Sequence, residues 1–254
     1  MNLKKTGVIT LVLEVINKLK SKWLVAVIAT LMVSFLIAMV TGILEFAPYF
    51  SIPFVGFILI GLIDFMRKLL EGKDYKLEDL FSDYKLFVTA FLTTALLLIL
   101  ISVGFALLII PGILVLLNYS FTLHVLQENK QVGALEALSR SKKLSSGFKF
   151  KIGMFYALFL ALSVISMGVS LLIMLIPNLI WGINVLLYAA ILTAVIDLLF
   201  ITPLFIASIT MFYDELKAES EKRQKEFNDN EQEDEDKEED KDEDKETDVE
   251  VEQV

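Results

Sequence analysis

Between Leu86 and Leu126 the chain runs for 41 residues without a lysine, arginine, aspartate or glutamate. A single straight helix of that length would extend about 60 Å, at ~1.5 Å per residue, twice the ~30 Å hydrocarbon core of a bilayer. Such a run has to fold back on itself within lipid, and Pro111-Gly112 supplies a place to do so. Proline cannot continue a helix from its amino side without losing a hydrogen bond, yet its fixed φ suits a first turn. The spacing therefore predicts two crossings, over 86–107 and 111–126.

Other apolar stretches repeat the theme. Trp23 to Leu44 gives 22 uncharged residues, predicting a span over 23–44; the long polar leader and the absence of a small-residue cleavage site favour a retained helix over a signal peptide. The stretch 50–66 is shorter and contains Asp64, one turn from Arg67 and Lys68 at what would be the membrane surface. From Ile152 to Tyr213 the pattern divides at Pro177-Asn178, with Trp181 where an interfacial ring would sit, predicting spans over 152–176 and 183–208. With 56% hydrophobic residues and a mean hydropathy of +0.65, the expectation is an all-α polytopic bundle of six spans, a membrane domain covering 23–213. The chain has no cysteine, which removes disulfides, thiolate metal sites and cysteine nucleophiles.

Charge orients that bundle. Lys and Arg number five in residues 1–22, five in 67–85, six in 130–151 and seven from residue 214 onward, which together are all 23 in the chain. The three intervening loops, near Glu45 to Tyr49, Ile109 to Pro111 and Pro177 to Gly182, hold none. Cytoplasmic loops retain positive charge, so both termini are expected in the cytoplasm, and an odd number of crossings would put a basic cluster outside. The expected location is a prokaryotic plasma membrane, with the lipid bilayer as first partner and no nucleic acid.

Segments outside the lipid carry their own patterns. In residues 1–22, Val8, Leu11, Val12, Val15, Ile16 and Leu19 recur at helical spacing opposite Thr10, Glu14, Asn17 and Lys18, predicting an amphipathic helix lying flat at the interface. The loop from Arg67 to Lys85 mixes signs without the spacing of a calcium loop, and reads as solvated and self-paired. Ala134 to Leu138 begins a short helix, followed by Arg140, Lys142 and Lys143 at head-group level. Residues 214–254 carry 21 acidic and 7 basic side chains; a helical extension with Glu219–Arg223 and Glu221–Lys225 pairs is expected to give way near Asn228 to a disordered acidic tail, a solubilising segment or a contact for a basic protein partner.

Three ionisable groups fall within or at the edge of the spans, and these are the candidate polar site. Asp197 stands near the middle of the sixth span, where an ionised carboxylate is costly; it reads either as a proton- or cation-coupled transport group or as a buried acid bonded to a neighbouring helix. His124, the only histidine, is read as an interhelical hydrogen-bonding group beside Asn118, Tyr119 and Thr122, and Asp64 as a further member. Ser163, Ser166 and Ser170 share one helix face and read as packing positions. No phosphate-binding glycine loop, G-x-S-x-G elbow or H-E-x-x-H pair occurs, so no enzymatic chemistry, metal or cofactor is expected.

The run Leu107-Leu108-Ile109-Ile110-Pro111-Gly112-Ile113, with Leu80-Phe81 before it and Tyr119-Ser120, Ala137-Leu138, Ser141, Leu144, Gly147, Pro203 and Phe212-Tyr213 after it, resembles a prokaryotic family of uncharacterised six-span membrane proteins. That family is related to the membrane domain attached to some glycerophosphoryl diester phosphodiesterases. The resemblance covers Leu80 to Tyr213, leaves out Asp197 and the acidic tail, and implies a fold and a location without a reaction. The functional expectation is a non-enzymatic membrane scaffold or maintenance factor. Its competitors are a transporter or channel component using Asp197 and a lipid-active enzyme built on Asp64 and His124.

Overall fold

The structure, a computed structural model, describes residues 7–44, 48–81, 84–181 and 184–225, and all regular elements among them are helical. In chain order these are α1 (Val8–Leu19), α2 (Trp23–Ile43), α3 (Pro48–Glu71), two 3-10 turns (Leu77–Phe81 and Tyr84–Leu86), α4 (Phe87–Leu107), α5 (Ile109–Tyr119), α6 (Thr122–Glu128), α7 (Ala134–Ser145), α8 (Lys149–Trp181) and α9 (Val185–Ile196). Beyond α9 a π-helical turn, Asp197–Ile201, continues the same axis, and the C-terminal helix runs as Val185–Lys225. Among the described residues, five stretches are long and apolar enough to cross a membrane: Trp23–Ile43, Phe87–Leu107, Ile109–Glu128, Lys149–Leu175 and Val185–Lys225. In each, at most 33% of the most apolar 18 residues is buried inside the protein, and Leu24, Ile43, Leu107, Leu160 and Leu186 point outward. An apolar surface so extensive suits lipid and would drive aggregation in water.

The long uncharged run folds back as a hairpin. A Cβ placed on Gly104 would stand 3.1 Å from the Cα of Gly112, whereas eight residues of straight helix would separate these positions by about 12 Å. The break falls at Leu108, whose backbone is extended (φ −169°, ψ 161°). Pro111 therefore sits inside the first turn of α5, where its missing N–H costs nothing, and the helix begins at Ile109 rather than at the expected 111.

A larger departure concerns Pro177, expected to end the fifth span. Helix α8 continues through it to Trp181. Proline so close to a C-terminus removes one hydrogen bond and clashes with only one preceding carbonyl, which the last turns tolerate. The next helix starts instead behind Asn184, whose Oδ1 accepts from the Leu187 amide at 3.2 Å.

Helix α1 also departs from expectation. Val8, Leu11, Val12, Val15 and Leu19 are buried against the protein, where α1 packs on α3 and α8, so the stripe assigned to the membrane interface belongs to the core. Ile16, placed on that stripe, is exposed together with Ile9 and Leu13 on a neighbouring face.

Helix α3 is not among these five, and its C-terminal half carries Asp64, Arg67, Lys68 and Glu71. Its end nonetheless lies against the beginning of α2: Lys22 Nζ donates to the Leu69 carbonyl at 3.1 Å, so α2 and α3 are antiparallel neighbours. Two glycines let other segments approach α3 closely. A Cβ on Gly56 would overlap the Thr94 side chain, and one on Gly61 would overlap the Leu80 carbonyl. Phe155, Phe121 and Phe212 form the aromatic centre of the core, with Phe155 and Phe212 stacked at 5.4 Å. On α8, Ser166 and Ser170 are buried, with Ser170 Oγ donating to the Ser166 carbonyl at 2.9 Å, in keeping with a packing face.

Candidate functional site

Where α3, α6 and the C-terminal helix come together, their sequences turn from apolar to ionisable. Arg67 is the hub. One guanidinium nitrogen donates to Gln127 Oε1, another stands 3.1 Å from Asp214 Oδ1, and the group lies over the Tyr213 ring at 5.5 Å. Gln127 in turn donates through Nε2 to Asp64 Oδ1 at 2.6 Å. The other oxygen of Asp64 meets Lys68 Nζ at 2.9 Å, and Lys68 also reaches Asp79 at 3.2 Å. On the far side, Glu128 accepts from the Tyr213 hydroxyl at 2.6 Å and pairs with Lys217. Charged groups removed from water at such helix ends are tolerable only when paired in this manner.

The loop after α3 is tied into the same network. Asp79 accepts from the Lys76 amide at 3.1 Å; that hydrogen bond, reinforced by the Lys68 ammonium, holds its carboxyl below the usual range. The sequence expectation of a self-paired loop corresponds to these bonds and to the Lys73–Glu71 pair at 2.5 Å. Of the pairs expected on the C-terminal helix, Glu219–Arg223 closes at 3.7 Å.

His124 lies one turn before Gln127 and is buried. Its Nε2 is 3.4 Å from Thr210 Oγ1 on the C-terminal helix, and Thr210 donates its own proton to the Ile206 carbonyl at 2.8 Å. The Nε2–Thr210 contact links α6 to the C-terminal helix. Nδ1 has no hydrogen-bond partner. This is the interhelical role expected of a lone histidine. Beside the network a cleft of about 370 Å³ is lined by Glu128, Asn129, Arg140, Tyr213 and Lys217 among others. No group of three His, Asp or Glu side chains among the described residues is placed to hold a metal ion.

The structure thus brings two of the three sequence candidates, Asp64 and His124, to one end of the bundle and leaves Asp197 outside the network. Asp197 opens the π-helical turn, beside α2 and α8, and its Oδ1 is buried without a hydrogen-bond partner. Sequence reasoning missed the hub itself. The positive-inside pattern accounts for Arg67 by itself, and Gln127 and Asp214 belong to no motif; the signal in sequence is the Asp64, Arg67, Lys68 spacing of three and four, which puts an acid and two bases on one helix face. Compared with protein-family models, with curated proteins and with solved structures, the chain matches none.

Proposed function

We propose that this protein is a six-crossing, non-enzymatic membrane scaffold or maintenance factor, with both termini and the charged network in the cytoplasm of a prokaryote. The sixth crossing is α3. Its antiparallel pairing with α2 through Lys22 and Leu69 supports this, as does its 24-residue length, enough for about 36 Å. The one-sided distribution of Lys and Arg supports the orientation, and the motifs around Pro111 support kinship with the six-span family they resemble. The acidic segment 226–254, expected to be disordered, lies outside the described residues; in this reading it is a solubilising cytoplasmic tail, with a basic protein partner as the alternative.

The observation that carries the scaffold reading is the set of cross-helix bonds through Arg67 Nη1, Gln127, Asp64 and Glu128, with Arg67 Nη2 facing Asp214 as an ion pair and making no hydrogen bond. The ionisable groups of α3, α6 and the C-terminal helix bond to one another across the bundle, which fixes the helix ends and presents α7 and the loops as a rigid cytoplasmic face. A transport reading has one observation in its favour, the unpartnered carboxyl oxygen of Asp197 in a π-helical turn, since such turns concentrate at functional sites. Proteoliposomes carrying the full chain and a trapped pH indicator separate the two. The scaffold reading expects no protein-dependent proton or cation flux; flux that disappears in Asp197→Asn would replace it with the transport reading.

A further inference from the structure

We infer that the groove between α5 and α8 is a binding site for one anionic phospholipid of the cytoplasmic leaflet, an inference that rests on the membrane reading above. The groove encloses about 590 Å³ and is lined by Ile113, Leu116, Leu117, Gly153, Ala157 and Leu160, a lining suited to an acyl chain and in the size range of small-molecule sites. Ser120, whose hydroxyl donates to the Leu116 carbonyl at 2.7 Å, and Tyr156 are its polar members. Ile113, Leu116 and Leu160 are exposed, which leaves the groove open along the surface that faces lipid.

Charge supplies the second half of the argument. On α8 the groove residues Gly153, Ala157 and Leu160 follow Lys149 at spacings of four, eight and eleven, so Lys149 stands on the same helical stripe one turn nearer the cytoplasm. Lysine stems lie along apolar surface while the ammonium reaches phosphate level. Helix α7 is fastened to the same end of α5, with Ser141 donating to the Asn118 carbonyl at 3.1 Å and accepting from the Phe121 amide at 3.3 Å. Lys142 and Lys143 follow directly. Lys142, Lys143 and Lys149 are exposed and make no ion pair among the described residues. From Ala137 to Ile196 the chain contains no Asp or Glu at all. An acyl groove crowned by unpaired cations, in a segment free of acids, is complementary to a lipid whose head group carries net negative charge.

The absence of cysteine allows a direct test. The full chain bearing Ile113→Cys, labelled with a small fluorophore, is reconstituted in vesicles containing brominated phosphatidylglycerol or brominated phosphatidylcholine. The site expects phosphatidylglycerol to quench with at least about threefold higher relative affinity. Lys142→Gln, Lys143→Gln and Lys149→Gln together should bring that ratio to about one, while Gly153→Phe, which fills the groove, should abolish saturable quenching by both lipids; helix content by circular dichroism verifies that each variant is folded. Equal quenching by the two lipids in the unmodified background overturns the site and leaves the membrane reading intact. A preference that survives the lysine substitutions overturns it likewise. Quenching by neither lipid overturns the site and the membrane reading together.

Discussion

The two polar regions of this bundle handle the same problem in opposite ways. At the charged end, Asp64, Asp79, Glu128 and Asp214 each have a cationic partner, and Arg67 ties α3 to both α6 and the C-terminal helix. In the middle of the C-terminal helix, Asp197 has a buried oxygen with no partner and sits where the helix widens into a π turn. The first arrangement spends its charges on holding helices together. The second leaves a carboxyl available, at a cost in stability that only function or an unpaired proton would justify. The difference teaches that intramembrane charge by itself does not mark function; the discriminating feature is whether the protein supplies its counter-group.

The largest expected effect comes from removing the hub. Arg67→Ala strips the cation from Asp214 and the donor from Gln127; Arg67 is 13% exposed but Asp214 is 42% exposed, so a loss of about 2–3 kcal/mol is expected, seen as a lower thermal unfolding midpoint in detergent. A midpoint unchanged from the parent would show that the network is decoration. Tyr213→Phe removes one buried hydroxyl donor from Glu128 and should cost about 1–2 kcal/mol in the same assay. Asp197→Asn should leave the midpoint unchanged or slightly raised, because no counter-group is lost; a large destabilisation would place Asp197 in the same class as the paired carboxylates.

The smallest effect concerns pH. Asp79 has a carboxyl held below its ordinary value of 3.8, so its tether to Lys76 and Lys68 is fully present above that value and is lost as pH falls through the lower, folded-state value. A nitroxide at Lys73→Cys should gain mobility only as pH drops below about 3.8, and the Asp79→Asn background should show the higher mobility at every pH. Mobility that rises already near neutrality would assign the loop's order to other groups.

How much of this was legible in sequence follows from the range of each interaction. The five long apolar helices could be read because an uncharged run measures itself against the bilayer, and the hairpin because a 41-residue run is twice the length of one crossing. Helix ends were less legible. Pro111 and Pro177 carry the same local signal, yet one sits three residues past a break and the other inside α8, because a proline marks where a helix may be weakened while caps such as Asn184 decide where the next begins. The amphipathic stripe of α1 told its periodicity correctly, but periodicity cannot say whether protein or lipid covers the apolar face. The Arg67 hub was invisible for a related reason. Its partners Gln127 and Asp214 are far away along the chain, and Glu128 meets Tyr213 across 85 residues, whereas the Asp64–Lys68 pair is local.

The account rests on six crossings with every cationic segment on one side, and single cysteines placed in this cysteine-free chain test that most directly. In intact cells a membrane-impermeant maleimide should label Glu45→Cys and Ile110→Cys, and should leave Lys76→Cys and Lys142→Cys unlabelled until the membrane is permeabilised. Labelling of Lys76→Cys or Lys142→Cys from outside would contradict the orientation, the sixth crossing through α3, and the cytoplasmic placement of the Arg67 network.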